Sequence, residues 1–172
     1  VVDYEPGEST SGMFGGNSNW RGPIWFPINF LLIESLQRFF LFYGKNFTVK
    51  YPSEDGEEMT LARVAENLQH GMIKLFLRDE QTNRRPYNGN VDKFDFDQYF
   101  DEGILFHEYF DPDTGRGLGT KHQCGWTGLV AKLIQDTGMS LIRPGAFGDD
   151  RKKVAKEFFD ETYDTPKTCL LY

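Results

Sequence analysis

The fold of this chain depends on residues 23–43, which read PIWFPINFLLIESLQRFFLFY. Apolar side chains recur here every three or four positions, which is the spacing of one face of a helix. Phe30, Ile33 and Leu41 make the opposite face apolar too, so the pattern predicts a helix buried nearly all round. Gly44 is a suitable residue to end it. The periodic face comprises Ile28, Leu31, Leu32, Ser35, Leu36, Phe39, Phe40 and Tyr43.

Three further helices are predicted, over residues 60–77, 125–137 and 150–163. The first of these is amphipathic and begins at Thr60, a suitable N-cap. Residues 104–110 are expected to form a short extended segment. No alternation typical of several β-strands appears, so the predicted class is mainly α, with long loops that are expected to hold function.

The composition indicates one globular domain of 172 residues. Aromatic residues make up 16% of the chain, a surplus that must fill a core, line a site or cover an interface. The formal charge of −7 argues against nucleic acid as a partner. No apolar run reaches transmembrane length, so no membrane partner is expected. The acidic charge and the two cysteines favour a cytoplasmic location with reduced thiols.

Metal ligands are not evident in the sequence. His70, His107 and His122 are not spaced as zinc ligands. Residues 111–115 (DPDTG) match half of a calcium loop, but His122 occupies the position where glutamate would complete it. We therefore expect no metal and no cofactor.

A first candidate site surrounds Glu108 in FHEYFDPDTG, residues 106–115. Burying an unpaired charge in a core costs several kcal/mol, whereas a sugar site can use a carboxylate as a base while flat rings cover the pyranose. His107 and His122 flank a glycine-rich loop and could contact hydroxyl groups. The three glycines of residues 115–119 either allow close approach of a ligand or shape a turn. The alternative is an ordinary exposed acidic loop.

A second candidate cluster is NWRGPIW, residues 19–25. Trp20 and Trp25 can stack on sugar rings, and the Arg21 guanidinium can donate to hydroxyls or orient a carboxylate. The alternative is a buried aromatic start of a helix, with Arg21 in a structural ion pair.

Together these clusters resemble a known family. The motifs NxxWRGPIW (17–25), FxEYxD (106–111) and GWTGLV (125–130) occur in the order and at about the separation found in glycoside hydrolase family 63. That family includes processing α-glucosidase I and mannosylglycerate hydrolases, and the resemblance covers residues 11–136. It implies an (α/α)6 toroid and inverting hydrolysis of α-glycosides.

The resemblance also implies residue roles. Glu108 falls on the family's general base, which activates the attacking water. Side chains of the two clusters and of the helix start after the base would contact a carbohydrate substrate. The predicted substrate-binding residues are Trp20, Arg21, Trp25, His107, Tyr109, Gln123, Trp126 and Thr127.

The chain departs from the family pattern in one respect. The family's general acid is an aspartate in an upstream Trp-Asp motif, and no Trp-Asp pair occurs here. Residues 1–172 are therefore expected to be the C-terminal portion of the catalytic domain, holding the base without the acid. Because loss of general acid catalysis costs about 10²–10⁴-fold, we expect the isolated chain to be almost inactive. The helix at residues 23–43 would then need a partner, either a missing N-terminal part or another copy.

Two other functions remain open from the residues alone. The chain could be a non-catalytic carbohydrate-binding or scaffold module of the same fold, or a helical protein that binds a protein partner through its aromatic surface. The residues do not distinguish a glucosyl from a mannosyl substrate.

Overall fold

The computed structural model describes residues 20, 22–100 and 103–142, with side chains described up to residue 137. Helices predominate, which confirms the predicted mainly α class. The helices are α1 (Phe26–Tyr43), α2 (Leu61–Lys74), α3 (Asp92–Phe96), α4 (Cys124–Thr127) and α5 (Leu129–Ile142), with a 3₁₀ turn at Pro86–Asn88. The strands are β1 (Thr48–Tyr51), β2 (Glu57–Thr60), β3 (Tyr109–Phe110) and β4 (Gly117–Leu118). The helix predicted over residues 150–163 lies outside the described residues.

The ends of the helices follow from local chemistry. Before α1, Trp25 is extended, and α1 ends where Gly44 turns to a φ of +76° and donates its N–H to the Phe40 carbonyl. The Thr60 hydroxyl accepts a hydrogen bond from the Arg63 N–H at 3.3 Å and so caps α2. The helix predicted over residues 125–137 is divided at Gly128 into α4 and α5.

An antiparallel hairpin of β1 and β2 lies between α1 and α2, in a region where no strand is predicted from the sequence. Val49 pairs with Met59 in this hairpin. Gly56 is required in its loop because a Cβ there would stand 2.1 Å from the Tyr51 carbonyl oxygen. Each strand has four residues, too few for a test of alternation over a long window, although TVKY followed by the turn-forming PSEDG is a short-range signal.

The core lies where α1, α2 and α5 meet the 3₁₀ turn and β3. Apolar side chains from all of these elements are buried against one another, and their burial is the main stabilising contribution. The core comprises Phe26, Ile33, Ala65, Met72, Ile73, Leu75, Tyr87, Phe110, Val130 and Leu133.

The prediction that the first helix is buried nearly all round is wrong for this chain. One face of α1 packs on α2 through residues such as Ile33 and Phe40, which are buried. The outer face is exposed because no described element packs on it. The exposed apolar side chains of this outer face are Ile28, Leu31, Leu32, Phe39 and Phe42.

None of the helices in the described part of the chain is both long and apolar enough to cross a membrane. Within the same part, His, Cys, Asp and Glu side chains do not gather in groups of three that could hold a metal ion. The half calcium loop at residues 111–115 forms a hairpin turn instead.

Gln69 joins two helices of the core and provides a test of their packing. Its amide nitrogen donates to the Leu133 carbonyl at 2.6 Å and to the Thr137 hydroxyl at 2.9 Å. We expect Gln69→Ala to lower the free energy of unfolding by about 1–3 kcal/mol, because the substitution removes buried hydrogen bonds and leaves a void. The matched control Gln135→Ala, at an exposed position of α5, should change it by less than about 0.5 kcal/mol. Equal effects in chemical denaturation would contradict this packing.

Candidate functional site

The hairpin of β3 and β4 carries Glu108 and is closed by a tight turn. The Asp111 carboxylate accepts hydrogen bonds from the N–H groups of Asp113 and Thr114, both at 2.9 Å. Gly115 has a φ of +75°, which favours glycine, and donates its N–H to the Asp111 carbonyl. Burial alone would raise the pKa of Asp111, but the hydrogen bonds from Thr114 and Asp113 hold it below its ordinary value. Asp111 is therefore an ionised turn residue at neutral pH.

Main-chain hydrogen bonds attach this hairpin to two helix starts. Ile24 and Phe110 exchange hydrogen bonds of 2.8 and 3.0 Å, which join the start of α1 to β3. The Gln123 N–H donates to the Phe106 carbonyl at 2.9 Å, immediately before α4. The Thr127 hydroxyl donates to the His107 carbonyl. These bonds bring together residues that are far apart in the sequence.

Four aromatic side chains meet beside the hairpin, and we call them the aromatic cluster: Trp20, Trp25, Tyr109 and Trp126. The Trp20 ring stacks on Trp25 with centroids 4.7 Å apart, and Trp25 lies 4.6 Å from Tyr109. Trp126 lies 5.4 Å from Trp20 and 5.8 Å from Trp25. Trp25 is buried while Trp20 is exposed. The cluster therefore has a buried base at Trp25 and an exposed aromatic surface at Trp20.

Glu108 lies at the edge of the aromatic cluster and is half-buried. Its N–H donates to the Thr120 carbonyl at 2.9 Å, and its Oε2 accepts the Thr120 N–H at 3.2 Å. A Cβ placed on Gly119 would stand 2.6 Å from Oε2 of Glu108 and 2.7 Å from the Tyr109 ring, so carboxylate and ring are neighbours. The carboxylate is thus oriented, partly exposed and close to aromatic surface.

His107 faces away from the aromatic cluster. It is buried, with ring centroids 6.0 Å from Tyr87 and 6.2 Å from Phe110. Burial, together with smaller electrostatic contributions from Lys121 and His122, lowers the pKa of His107 to about 4. The imidazole is neutral at pH 7.

The predicted substrate-binding residues therefore divide into groups. Trp20, Trp25, Tyr109 and Trp126 come together, and half-buried Gln123 immediately precedes the helix that carries Trp126. Two others, His107 and Thr127, lie inside the protein, and the Thr127 hydroxyl is already bonded to main chain. Trp25 and Tyr109 are buried to a similar extent, so direct sugar contact by these four residues stays a prediction that their burial does not favour. Arg21 lies outside the described residues.

Gly117, Gly119 and Thr120 were not among the predicted site residues, although the glycine spacing of residues 115–119 pointed to close approach. The structure identifies what approaches. A Cβ on Gly117 would stand 2.2 Å from the imidazole of His107, and Gly119 faces Glu108. The absence of a side chain at Gly117 and Gly119 therefore leaves room for His107 and Glu108 of the opposite arm of the hairpin.

The buried imidazole predicts a pH dependence of stability. The pKa of His107 is about 4 in the folded protein against 6.5 ordinarily, so the unfolded chain binds a proton first as pH falls. The free energy of unfolding therefore has its full value above about pH 6.5 and decreases as the pH falls towards about 4. Between pH 7 and 4, the free energy of unfolding of His107→Gln should decrease less than that of the unsubstituted protein, by up to about 3 kcal/mol in denaturant titrations. The matched control His70→Gln, at an exposed position of α2, should follow the unsubstituted protein. Identical curves for the two variants would refute the assignment.

Comparison with known proteins extends these observations. The family model for the glycosyl hydrolase family 63 C-terminal domain matches residues 11–136. YMR196W, an uncharacterized protein of Saccharomyces cerevisiae, is 58% identical over 144 residues, which are 83% of this chain and 13% of that protein. A probable mannosyl-oligosaccharide glucosidase of Schizosaccharomyces pombe is 30% identical over 122 residues, which are 70% of this chain.

The mannosyl-oligosaccharide glucosidase of Saccharomyces cerevisiae is 28% identical over a stretch of the same length. The matched region amounts to 11% of each of the two glucosidases, so the chain spans a small part of these relatives. No solved structure matches the chain. Since the family model covers most of its residues, the chain belongs to glycosyl hydrolase family 63.

Proposed function

We propose that this chain supplies the general base and part of the sugar pocket of an inverting α-glycoside hydrolase. The observation that supports this most directly is the oriented, half-buried Glu108 carboxylate beside the aromatic cluster. Two relatives are named mannosyl-oligosaccharide glucosidases, so we propose an α-linked glucosyl residue of an oligosaccharide as the substrate, in preference to a mannosyl group.

The proposed reaction is a single displacement at the anomeric carbon. A water oxygen forms the new bond to this carbon while the glycosidic C–O bond breaks, and the electron pair of that bond leaves with the aglycone oxygen. Glu108 accepts a proton from the water, and a general acid donates a proton to the leaving oxygen. The aromatic cluster would stack on the apolar face of the sugar and fix its orientation.

The general acid is proposed to come from a segment upstream of this chain. Asp111 is a poor candidate because its carboxylate accepts two hydrogen bonds from its own turn and its pKa is held below the ordinary value. In an inverting enzyme the two carboxyl groups lie roughly 6.5–9.5 Å apart, with the water between them. The much greater length of the relatives is consistent with an acid supplied from outside this chain.

The same upstream segment is the proposed partner of α1. Its outer face exposes five large apolar side chains, with Leu31 at 60% and Phe42 at 78% of their full exposure. A face of this size and character is typical of a surface that another element covers. In the proposed (α/α)6 toroid, a neighbouring helix of the upstream part would cover it.

The proposed base is tested by Glu108→Gln in the full-length protein. Glutamine keeps the shape and can still accept the Thr120 N–H, but it cannot accept a proton from water. We expect kcat for an α-glucosyl oligosaccharide to fall by at least about 10²–10⁴-fold, with an unchanged melting temperature. The matched control Glu80→Gln, at an exposed position, should retain activity.

Retention of full kcat by Glu108→Gln would refute the base assignment. Binding of the sugar by the unsubstituted full-length protein without any turnover would instead favour a carbohydrate-binding module. A panel of α-linked glucose disaccharides together with mannosylglycerate distinguishes the proposed glucosyl substrate from a mannosyl one.

A further inference from the structure

The Glu108 carboxylate accepts a hydrogen bond from Thr120, which lies in the opposite arm of the hairpin. Residues 108 and 120 exchange two hydrogen bonds, from the Glu108 N–H to the Thr120 carbonyl and from the Thr120 N–H to Oε2 of Glu108. A carboxylate that accepts a main-chain N–H has one oxygen fixed in space, because the donor belongs to the rigid backbone. Among the described residues, Oε1 has no hydrogen-bond donor and is left for another ligand.

Gly119 is the residue that makes this arrangement possible. It has a φ of +69°, a conformation that favours glycine. A Cβ on it would stand 2.6 Å from Oε2 of Glu108, 2.8 Å from Cβ of Glu108 and 2.7 Å from the Tyr109 ring. A Cβ atom does not approach other heavy atoms this closely in a folded protein. Any side chain at position 119 must therefore displace the carboxylate, the ring or both.

We infer that Gly119 and the Thr120 N–H are positioning groups for the base: they fix Oε2 and direct Oε1 towards the attacking water. This inference rests on the proposed function and adds to it the elements that orient the base. Water activation needs the basic oxygen within hydrogen-bond reach of the water and aligned with it. A misplacement of about 1 Å can reduce a rate about 10²-fold.

The first test compares Gly119→Ala with Gly119→Asn in the full-length protein, using an α-glucosyl oligosaccharide. Both substitutions add a Cβ against Glu108, but Asn adopts positive φ more readily than Ala. We expect both to lower kcat by about 10²-fold while KM changes by less than about threefold. Normal kcat in both variants, or recovery of kcat in Gly119→Asn alone, would overturn the inference, the latter because backbone strain would then explain the loss.

Gly115→Ala is the matched control. Gly115 has nearly the same φ, +75°, and its Cβ would meet Leu75 and Pro86 rather than Glu108. We expect this variant to lower the melting temperature and to leave the kcat of the folded protein unchanged. A loss of kcat equal to that of Gly119→Ala would overturn the inference, because general damage to the hairpin would then suffice.

A double-mutant cycle separates this inference from the proposed function. If Gly119 acts through the carboxylate, Gly119→Ala should change the residual rate of Glu108→Gln by less than about threefold, since groups that act as a unit are not additive. The same 10²-fold loss in both backgrounds would overturn the positioning role while Glu108 stays the base. Full activity of Glu108→Gln alone would instead refute the proposed function itself.

Discussion

The candidate site depends on the two hydrogen bonds between Ile24 and Phe110, of 2.8 and 3.0 Å. They attach the start of α1 to β3 and so bring Trp25 beside Tyr109, although these residues are far apart in the chain. Phe110 is fully buried, and its ring packs 5.5 Å from Phe26 and 6.0 Å from Phe76. Core packing around Phe110 and the hydrogen bonds to Ile24 therefore stabilise the same arrangement. The distances within the aromatic cluster depend on both.

The hairpin of β3 and β4 separates two environments. His107 and Phe110 face the core, whereas Tyr109 belongs to the aromatic cluster and the Glu108 carboxylate lies with the Tyr109 ring against Gly119. In the opposite arm of the hairpin, Gly117 lies against His107 and Gly119 lies against Glu108, and a Cβ at either position would collide with that side chain. Core packing at His107 and the position of the Glu108 carboxylate thus both depend on this one hairpin. A side chain at either glycine would disturb the side that the glycine serves.

The long helices could be predicted because their apolar periodicity extends over several turns, as in residues 26–43 and 61–74. The hairpin of β1 and β2 has no such periodicity, since its strands are four residues long and half of their side chains are exposed, which leaves the turn-forming residues 52–56 as its main signal. The apolar pattern alone predicted burial of Leu31 and Phe42, which are exposed, whereas the expectation that the helix at residues 23–43 needs a further partner agrees with their exposure. Among the described residues, no element packs on this face of α1.

Residue types predicted which side chains belong to the candidate site, but not how each of them is buried. Aromatic side chains around a carboxylate suggested a sugar site, and the structure does bring Trp20, Trp25, Tyr109 and Trp126 together. The burial of His107 and Thr127 was not predictable, because His107 precedes a strand of two residues and Thr127 lies in a helix of four residues, and segments this short show no periodic pattern. The contact of Gly119 with Glu108 depends on hairpin register, which only the paired main chain determines.

The most direct test of the central claim is the anomeric configuration of the first product. A base that activates water on the face opposite the leaving group must invert the configuration, so an α-glucoside must yield β-glucose. Proton NMR spectra of the full-length protein with an α-glucosyl oligosaccharide, recorded before mutarotation equilibrates the anomers, should show the β-anomer first. Initial appearance of α-glucose would contradict the assignment of Glu108 as a base that acts on water.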